Sequence, residues 1–518
     1  MQTSNWVLIG ILALGSIGTM TAATIVNVAL PSVIGALGLS QDEAQWLSTA
    51  FLASSTGFML LNTWAVARFG MRASFAAAMA AFILGSVCGA TAQDLWLLIT
   101  GRILQGAGAG LIQPMAMVLI YQRFPEGMRG LAVGVYSLGV IVSPAFGPVL
   151  GGWLIDASDW RVVFVATTPL AFTAMLLGLW RLPRRSYPTL KPELDWIGLV
   201  LVMTALALVL QGLALGSREG WDDVGVQARL WGAGAFAIAF LAWEARHPYP
   251  VLNLRLFARP AFCAAAVVIF LTGAVVYGST WLAPLCVQLV QQYSPAGAGE
   301  MLLPAGVVMA LCFPLAGRLS DRLDSRILLT VGALIFGASM LLMADIGAQT
   351  EAGVIATALA MGRGGVGLTM PAANASAMRH AGGMLASAAP AATFLTQTGG
   401  ALGVACLSAL LQARSAFHAD ALQPAINAGN SEAMSALGHL SVGLTESGHG
   451  PIEATAGPIN QMAAPIWASA QLLAFRDCFL ATGLVCLILI PAGLLMPSDT
   501  RDRSNFTDRL KAALTLFR

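Results

Sequence analysis

Two arginines lie in the middle of long apolar segments, where a charged side chain is costly. Arg102 stands in "LITGRILQGAGAGL" and Arg363 in "LAMGRGGVGLTM". On insertion scales a charge at the centre of a membrane helix costs about 2.5–3.5 kcal/mol, so such residues face a bundle interior and mark functional sites. Gln105 follows Arg102 by three positions and shares its helix face. Arg363 is the counterpart of Arg102 in the second half of the chain, and two roles are open for it: binding an anionic group, or structural pairing with a neighbouring helix.

One acidic residue, Glu300, lies in another apolar segment, "SPAGAGEMLLPAG". A carboxylate that changes its protonation state is the group that a proton-driven carrier needs. The alternative is that Glu300 lies close to the start of its helix, because Ser294 and Pro295 have the residue types of a helix N-cap and first turn. Glu300 would then lie only about 9 Å into the helix at 1.5 Å per residue, facing external water.

The composition places these charges in a membrane protein. The chain has 518 residues, 57% hydrophobic and 10% charged, with a net charge of +2. Soluble domains carry roughly 25% charged residues, which excludes an ordinary soluble enzyme, a nucleic-acid binder and a disordered regulator. The seven cysteines have no CxxC spacing, so we predict buried hydrophobes and no metal site. No GxxxxGK[ST] motif is present, so we expect energy from an ion gradient rather than ATP.

Fourteen segments have the ~20 mostly apolar residues that a membrane-spanning helix needs. Their approximate limits are 6–28, 44–66, 73–92, 95–120, 131–154, 162–181, 196–216, 229–245, 262–288, 296–317, 327–345, 353–376, 386–411 and 475–496. If the N-terminus is cytoplasmic, twenty of the 27 Lys and Arg residues lie in the cytoplasmic loops and tail and five in the external loops. The other two, Arg102 and Arg363, lie within spans. This asymmetry predicts that both termini are cytoplasmic.

The chain also repeats itself weakly. The segment 98–116 resembles 359–373, and "RFGMR" at 68–72 parallels "GRLSDRLDSR" at 317–326. Duplicated halves are typical of transporters whose site lies between the halves, and the two extra helices between them give a 6 + 2 + 6 organisation. The predicted parts are an N-terminal bundle at 1–182, inserted helices at 183–260, helices nine to thirteen at 261–411, a long periplasmic loop at 412–474, a last span at 475–496 and an amphipathic tail at 497–518. Composition favours an irregular loop at 412–474, and the alternative is a partly helical cap that contacts another protein.

Several motifs resemble the fourteen-span drug:proton antiporter branch (EmrB/QacA-like) of the major facilitator superfamily. They are "TIVNVALP" (24–31), "RILQG" (102–106), "GVIVSPAFGPVLGG" (139–152), "DWRVVF" (159–164), "LNLRLF" (252–257) and "GRLSDR" (317–322). The resemblance covers nearly the whole chain. It implies an all-α integral membrane protein of the bacterial inner membrane, a secondary transporter rather than an enzyme. The implied activity is proton-coupled efflux of lipophilic small molecules or drugs by alternating access, without cofactors or nucleic acid.

The long loop before the last span is similar to the EmrB-type subgroup. That likeness implies a membrane-fusion adaptor and a TolC-type outer-membrane channel as partners, and the sequence leaves open whether this chain binds them. It also implies that Arg102 belongs to the proton-coupling apparatus. Two departures stand out, because Ala22 and Ala67 occupy positions where this branch usually has acids. A proton-independent facilitator or uptake carrier is therefore the alternative function, and a non-transporting sensor or scaffold is a third.

Two further groups of residues are expected to move or to line the substrate path. Closely spaced glycines let another backbone approach and proline bends a helix, so the fifth-helix cluster predicts a tight seam between the halves, with simple helix packing as the alternative. The gating group comprises Gly139, Gly147, Pro148, Gly151 and Gly152 with the inside-loop residues Gly70, Arg72, Gly317, Asp321 and Arg322.

Uncharged polar residues of the candidate substrate cavity are Thr24, Asn27, Thr272, Tyr277, Thr396 and Gln397.

Overall fold

The structure is a computed structural model that describes residues 2–184, 193–293, 295–320, 323–347, 349–381, 384–422 and 451–496. Asp321, Arg322 and the predicted tail at 497–518 lie outside these residues. Within them the chain is helical and forms no strand. The helices are α1 (Gln2–Leu37), α2 (Gln41–Leu60), α3 (Asn62–Phe69), α4 (Met71–Thr91), α5 (Leu95–Arg123), α6 (Glu126–Ala157), α7 (Val162–Val165), α8 (Thr168–Arg181), α9 (Trp196–Glu219), α10 (Val224–Glu244), α11 (Pro260–Val290), α12 (Pro295–Ser320), α13 (Ser325–Ala344), α14 (Ala352–Arg379), α15 (Leu385–Leu422) and α16 (Pro451–Leu494).

Most of these helices are long and apolar enough to cross a membrane. Twelve of those searched within the described residues meet that criterion, and the bent pair α2 and α3 makes thirteen. The pair bends by 55°, and Leu61 is the single residue between its helices. Helix α6 has 32 residues over the range predicted for the fifth span. The all-helical membrane fold is confirmed, and the count of fourteen stays a prediction.

The helices form two bundles joined by an inserted pair. In the first bundle α1 packs on α6, and α5 packs on α2 and α4; in the second α11 packs on α15, and α14 packs on α12 and α13. Helices α9 and α10 pack on each other, and α9 also contacts α2 and α15. The inserted pair therefore touches both bundles, in agreement with the 6 + 2 + 6 organisation.

The external segment expected at 412–474 is helical at both of its edges, which fits the alternative of a partly helical segment better than an irregular loop. Helix α15 continues to Leu422, and the last helix already begins at Pro451. Both added stretches are rich in alanine, the residue with the highest helix propensity, so helix continues where hydropathy falls. At 1.5 Å per residue, α15 and α16 are about 57 and 66 Å long, against a bilayer core of about 30 Å.

The two bundles meet at one end of the molecule, which we call the arginine-rich end because the last turns of α3, α5 and α12, with Arg68, Arg123 and Arg318, lie there. One hydrophobic cluster at this end combines residues from both bundles, such as Phe75 of α4 and Leu329 of α13. At the opposite end there are two clusters, and each contains residues of a single bundle. The described residues thus form a state that is closed at the arginine-rich end.

Backbone contact between glycines makes this closure tight. Gly130 of α6 faces Gly317 of α12 so closely that a Cβ on either would collide with the other's carbonyl oxygen. One turn further on, Gly134 packs on the carbonyl of Phe313. We call these four residues the inter-bundle seam. Beside it, the Thr63 hydroxyl donates to the Ala386 carbonyl at 2.8 Å, which joins α3 to α15.

Candidate functional site

Arg102 is fully buried and connects three helices. Its Nε donates to the carbonyl of Leu47 on α2 at 2.9 Å, and its Nη1 donates to the carbonyl of Ala22 on α1 at 3.1 Å. The same Nη1 donates to Oε1 of Gln105, one turn along α5, at 3.0 Å. The ring of Phe51 lies under the guanidinium, 4.3 Å from Cζ to the ring centroid, a distance typical of a cation–π contact.

Gln105 extends this network to a fourth helix. Its amide Nε2 donates to the hydroxyl of Ser86 on α4 at 2.9 Å, and that hydroxyl donates to the carbonyl of Phe82 at 3.0 Å. The predicted pairing of Arg102 with Gln105 on one face is therefore observed. Buried polar networks are stable when each member has a partner, and this one holds α1, α2, α4 and α5 around a single positive charge.

The charge of Arg102 has no acidic partner in the part of the chain that the structure describes. None of its ion pairs involves Arg102, and Nη2 is buried without a hydrogen bond. Removing a guanidinium from water costs several kcal/mol unless an opposite charge compensates it. An anionic group that enters this region would meet both a positive charge and an unused donor.

Arg363, the second arginine of the sequence analysis, links two helices of the other bundle. Its side chain is 9% exposed, and Nη1 donates to the hydroxyl of Thr280 on α11 at 2.8 Å. That hydroxyl donates in turn to the carbonyl of Val276 at 2.6 Å. Arg363 forms no ion pair among the described residues either. Pairing with a neighbouring helix, one of the two roles open for Arg363, is present, but its acceptor is a neutral hydroxyl that leaves the charge uncompensated.

Two tyrosines from opposite bundles lie near each other. The sequence analysis named Tyr277 as a cavity residue and missed Tyr136. The hydroxyl of Tyr136 on α6 is 2.8 Å from that of Ser16 on α1, and Tyr277 on α11 lies in its vicinity. Tyr277 packs over Gly400 of α15. A tyrosine one helical turn before the fifth-helix motif is the signal that could have found Tyr136, because its hydroxyl needs a partner when buried.

The six candidate cavity residues separate into two groups. Thr24 is half-buried beside Gly147, and Asn27 is exposed and accepts a hydrogen bond from Ser48 at 2.8 Å. The other four belong to the α11–α15 contact, where Gly273 packs directly on the backbone of Thr396. Thr272 is buried there with its hydroxyl unpartnered. Tyr277 and Gln397 are half-buried on the same two helices.

The glycines of the fifth-helix motif pack inside one bundle. A Cβ on Gly147 would collide with Oγ1 of Thr24, and one on Gly151 would lie 2.9 Å from the Ile25 side chain. Gly139 faces Ile17, and Gly152 has no atom within 4 Å of its added Cβ. The predicted seam between halves is therefore wrong for these residues, because all the contacts are to α1 of the same bundle. The seam is built from Gly130 and Gly134 instead.

The inside-loop residues and Glu300 have separate positions. Gly70 has φ +82° at the turn between α3 and α4, a conformation that favours glycine. Arg72 donates to the carbonyls of Leu182 and Trp180, so it caps the end of α8. Gly317 lies in the inter-bundle seam. Glu300 is exposed, five residues after α12 begins at Pro295, which favours the interpretation of an acid near the external surface.

Comparison with known proteins agrees with this architecture. Residues 12–404 match the sequence profile of the Major Facilitator Superfamily. The chain is 29% identical over 471 residues to the fatty acid resistance protein FarB of Neisseria gonorrhoeae, covering 90% of this chain and 91% of FarB. It is 30% identical over 329 residues to the multidrug export protein EmrB of Haemophilus influenzae, covering 63% and 64% of the two chains.

A solved structure shows the same fold at much lower sequence identity. The proton:xylose symporter XylE superposes with a TM-score of 0.58 and 14% identity, over 96% of this chain and 97% of XylE. At that identity the likeness concerns the fold alone. The profile match, the export-protein relatives and the two-bundle architecture together establish that this chain belongs to the Major Facilitator Superfamily, as a transporter of the EmrB-like branch.

Proposed function

We propose that this transporter exports lipophilic small molecules from the cytoplasm in exchange for protons, by alternating access. The observation that carries the proposal is the buried guanidinium of Arg102, which is held by carbonyls of α1 and α2 and forms no ion pair with any described residue. Such a charge is costly in a membrane helix and marks an ion or substrate pathway. With the arginine-rich end placed in the cytoplasm by the positive-inside rule, the described state is closed to the cytoplasm.

Alternating access requires the closed end to open, and the inter-bundle seam is the contact that must separate. It brings Gly130 and Gly317 together without side chains. The glycine contacts themselves can separate without moving side chains, although the shared hydrophobic cluster at this end must also part. Rigid-body rocking of two bundles is the usual motion of such carriers. Helix α6 carries one side of the seam and also packs along α1 through Gly147, so opening the seam would shift the helix that supplies the Ala22 carbonyl to Arg102.

The substrate class that fits the charges is neutral or weakly acidic. Two guanidiniums, Arg102 and Arg363, lie in the two bundles without carboxylate partners in the described residues. A cationic drug would be repelled by both, and an amphiphile with one carboxylate would be attracted. The name of the FarB relative, a fatty acid resistance protein, supports the same class. Fluorescent cations pumped better than organic acids would contradict this preference.

The extended helices support the proposal of an outer partner. Helices α15 and α16 exceed the bilayer core and project at the end opposite the arginine-rich end. We propose that this projection contacts a membrane-fusion adaptor that leads to a TolC-type channel. A pull-down with a candidate membrane-fusion adaptor, repeated after shortening the projecting ends of α15 and α16, tests this contact.

The alternative, a proton-independent facilitator, rests on the absence of an acid at Ala22 and Ala67. Counter-transport in proteoliposomes separates the two functions. The expected result is uphill movement of a labelled fatty acid that stops when a protonophore collapses the pH gradient. A facilitator would instead equilibrate the fatty acid at the same rate with and without the protonophore.

A further inference from the structure

The two carboxylic acids with buried side chains in the described chain are on the inserted helices, away from Arg102. Asp195 is the N-cap of α9 and Glu244 is the last residue of α10, and each is 3% exposed. Both lie at the arginine-rich end of their helices. One oxygen of each is engaged: Oδ1 of Asp195 accepts from the Gly198 amide at 2.8 Å and from the Trp243 indole at 2.9 Å, and Oε2 of Glu244 accepts from the Leu252 amide at 3.1 Å.

The two remaining oxygens lie on the same side of Gly198 and have no hydrogen-bond donor among the described residues. Oδ2 of Asp195 and Oε1 of Glu244 are both buried without a hydrogen-bond partner. A Cβ added to Gly198 would lie 2.5 Å from the first and 2.6 Å from the second. Because both distances are measured from the same point, the two oxygens are at most about 5 Å apart, yet as carboxylates both could only accept. A single proton between them would satisfy both oxygens and remove one of two facing negative charges.

We propose that Asp195 and Glu244 form a proton-binding site that holds one shared proton. A metal ion fits poorly, because the described residues contain no group of three or more His, Cys, Asp or Glu that could ligate one. His247 does not replace the proton, since its Nδ1 is 3.8 Å from Oδ2 of Asp195 and accepts from the Tyr249 amide at 3.2 Å. This site goes beyond the proposed transport function and does not depend on it.

Among the residues that the structure describes, which leave out 185–192, no basic side chain forms an ion pair with Glu244, and His247 is the one that approaches Asp195. His247 is the one ionisable side chain that faces Asp195 from the following loop. Of the helices that contact α9, α2 after Glu43 and α15 before Arg414 carry no acidic or basic residue, and their one thiol, at Cys406, is exposed. The nearby charged residues Glu193, Arg246 and Arg255 are exposed.

The proton has a structural consequence because Glu244 holds the connection to the second bundle. The Leu252 amide that it binds belongs to the segment between α10 and α11, and in that segment the Asn253 amide nitrogen contacts the Met384 sulfur, one residue before α15. Raising the pH removes the proton and leaves two buried negative charges together. The connection between the inserted pair and the second bundle would then loosen, so cytoplasmic pH would act on this joint.

Infrared spectroscopy of the full-length protein in detergent tests the site. At pH 7 carboxyl groups in water are ionised, so a neutral carboxylic acid band at that pH reports a retained proton. We expect the band in the wild type and in Glu193→Gln, a control at an exposed acid nearby. We expect its loss in Glu244→Gln and in Asp195→Asn. A wild-type spectrum without the band, or a band that both variants retain, would overturn the proposal.

Thermal unfolding gives a second readout that does not rely on spectral assignment. A proton held more tightly in the folded state stabilises it at low pH, and this stability is lost as the pH rises. The wild type and the Gly234→Ala control, which adds a methyl where no atom lies within 4 Å, should lose stability on alkalinisation. Glu244→Gln should not show this fall. If NaCl stabilises the wild type over choline chloride and no infrared band is seen, a bound monovalent cation replaces the proton and the proposal fails.

Discussion

Nη1 of Arg102 donates a hydrogen bond to the carbonyl oxygen of Ala22 across the contact between α5 and α1, with the two atoms 3.1 Å apart. Ala22 is 2% exposed. The buried guanidinium thus meets a backbone carbonyl at the residue where the related antiporters usually carry an acid. A carbonyl dipole can orient Arg102 but cannot neutralise it, so this transporter keeps an uncompensated positive charge in its first bundle.

Replacing that arginine should abolish export. Hydrogen bonds that involve a charged group contribute about 1.5–3 kcal/mol each, and Arg102 makes three of them. Arg102→Ala is therefore expected to lower transport of a weakly acidic amphiphile by at least about tenfold, which corresponds to 1.4 kcal/mol. The measurement is uptake into inverted membrane vesicles, with protein amounts matched. Arg123→Ala, at the exposed end of the same helix, is the control and should transport normally.

Placing an acid at position 22 should create the ion pair that the chain lacks. The Ala22→Asp side chain would start beside Nη1 and the unpartnered Nη2 of Arg102. We expect a folded protein whose export rate becomes more strongly dependent on external pH. Ala23→Asp, which puts the same charge one position away on the helix, should lower thermal stability because its carboxylate has no such partner. Equal stabilities and equal pH profiles for the two variants would contradict the geometry of this pocket.

The fifth-helix glycines allow a sharper comparison within one motif. Gly147→Ala would place a methyl group onto Oγ1 of Thr24, and overpacking of this kind costs about 1–3 kcal/mol. Export should fall strongly, whereas Gly152→Ala meets no atom within 4 Å and should be tolerated. Drug-resistance assays in a deletion strain distinguish the two. Unchanged resistance with Gly147→Ala would revive the idea of a non-transporting scaffold.

The inter-bundle seam predicts a conformational effect. A Cβ at Gly317 would collide with the Gly130 carbonyl, so Gly317→Ala should hold the arginine-rich end open. Spin labels at the exposed Arg123 and Arg318, on opposite bundles, report the distance by electron resonance. The wild type should populate a short distance that Gly317→Ala loses. Gly127→Ala, on the same helix as Gly130 but free of contacts within 4 Å, should keep it.

The membrane fold was predictable from the sequence because hydropathy and the distribution of arginines are strong, local signals. Arg102 and Gln105 were predictable for a related reason, since a charge in an apolar helix has few possible environments. The partner of the motif glycines was not predictable. Glycines on a helix face indicate that another backbone packs there, but they do not identify that backbone. Gly147 packs on α1 of its own bundle, whereas Gly130 packs on α12 of the other bundle.

Other features depend on three-dimensional neighbours that a single sequence does not encode. Asp195 and Glu244 are 49 positions apart and each resembles an ordinary helix-end acid, so only the packing of α9 on α10 brings them together. The stretches that extend α15 to Leu422 and start α16 at Pro451 are more polar than the membrane spans, so hydropathy did not identify them as helix. Such segments are helical through alanine content rather than through burial in lipid.

Substrate-driven proton movement tests the central claim most directly. Purified protein is reconstituted into liposomes that contain a pH-sensitive dye, and a weakly acidic amphiphile is added on one side without an imposed gradient. We predict that the wild type moves protons opposite to the substrate, that Arg102→Ala does not, and that Arg123→Ala behaves as the wild type. Transport of the amphiphile by the wild type with no accompanying protein-dependent proton movement would contradict the exchange mechanism.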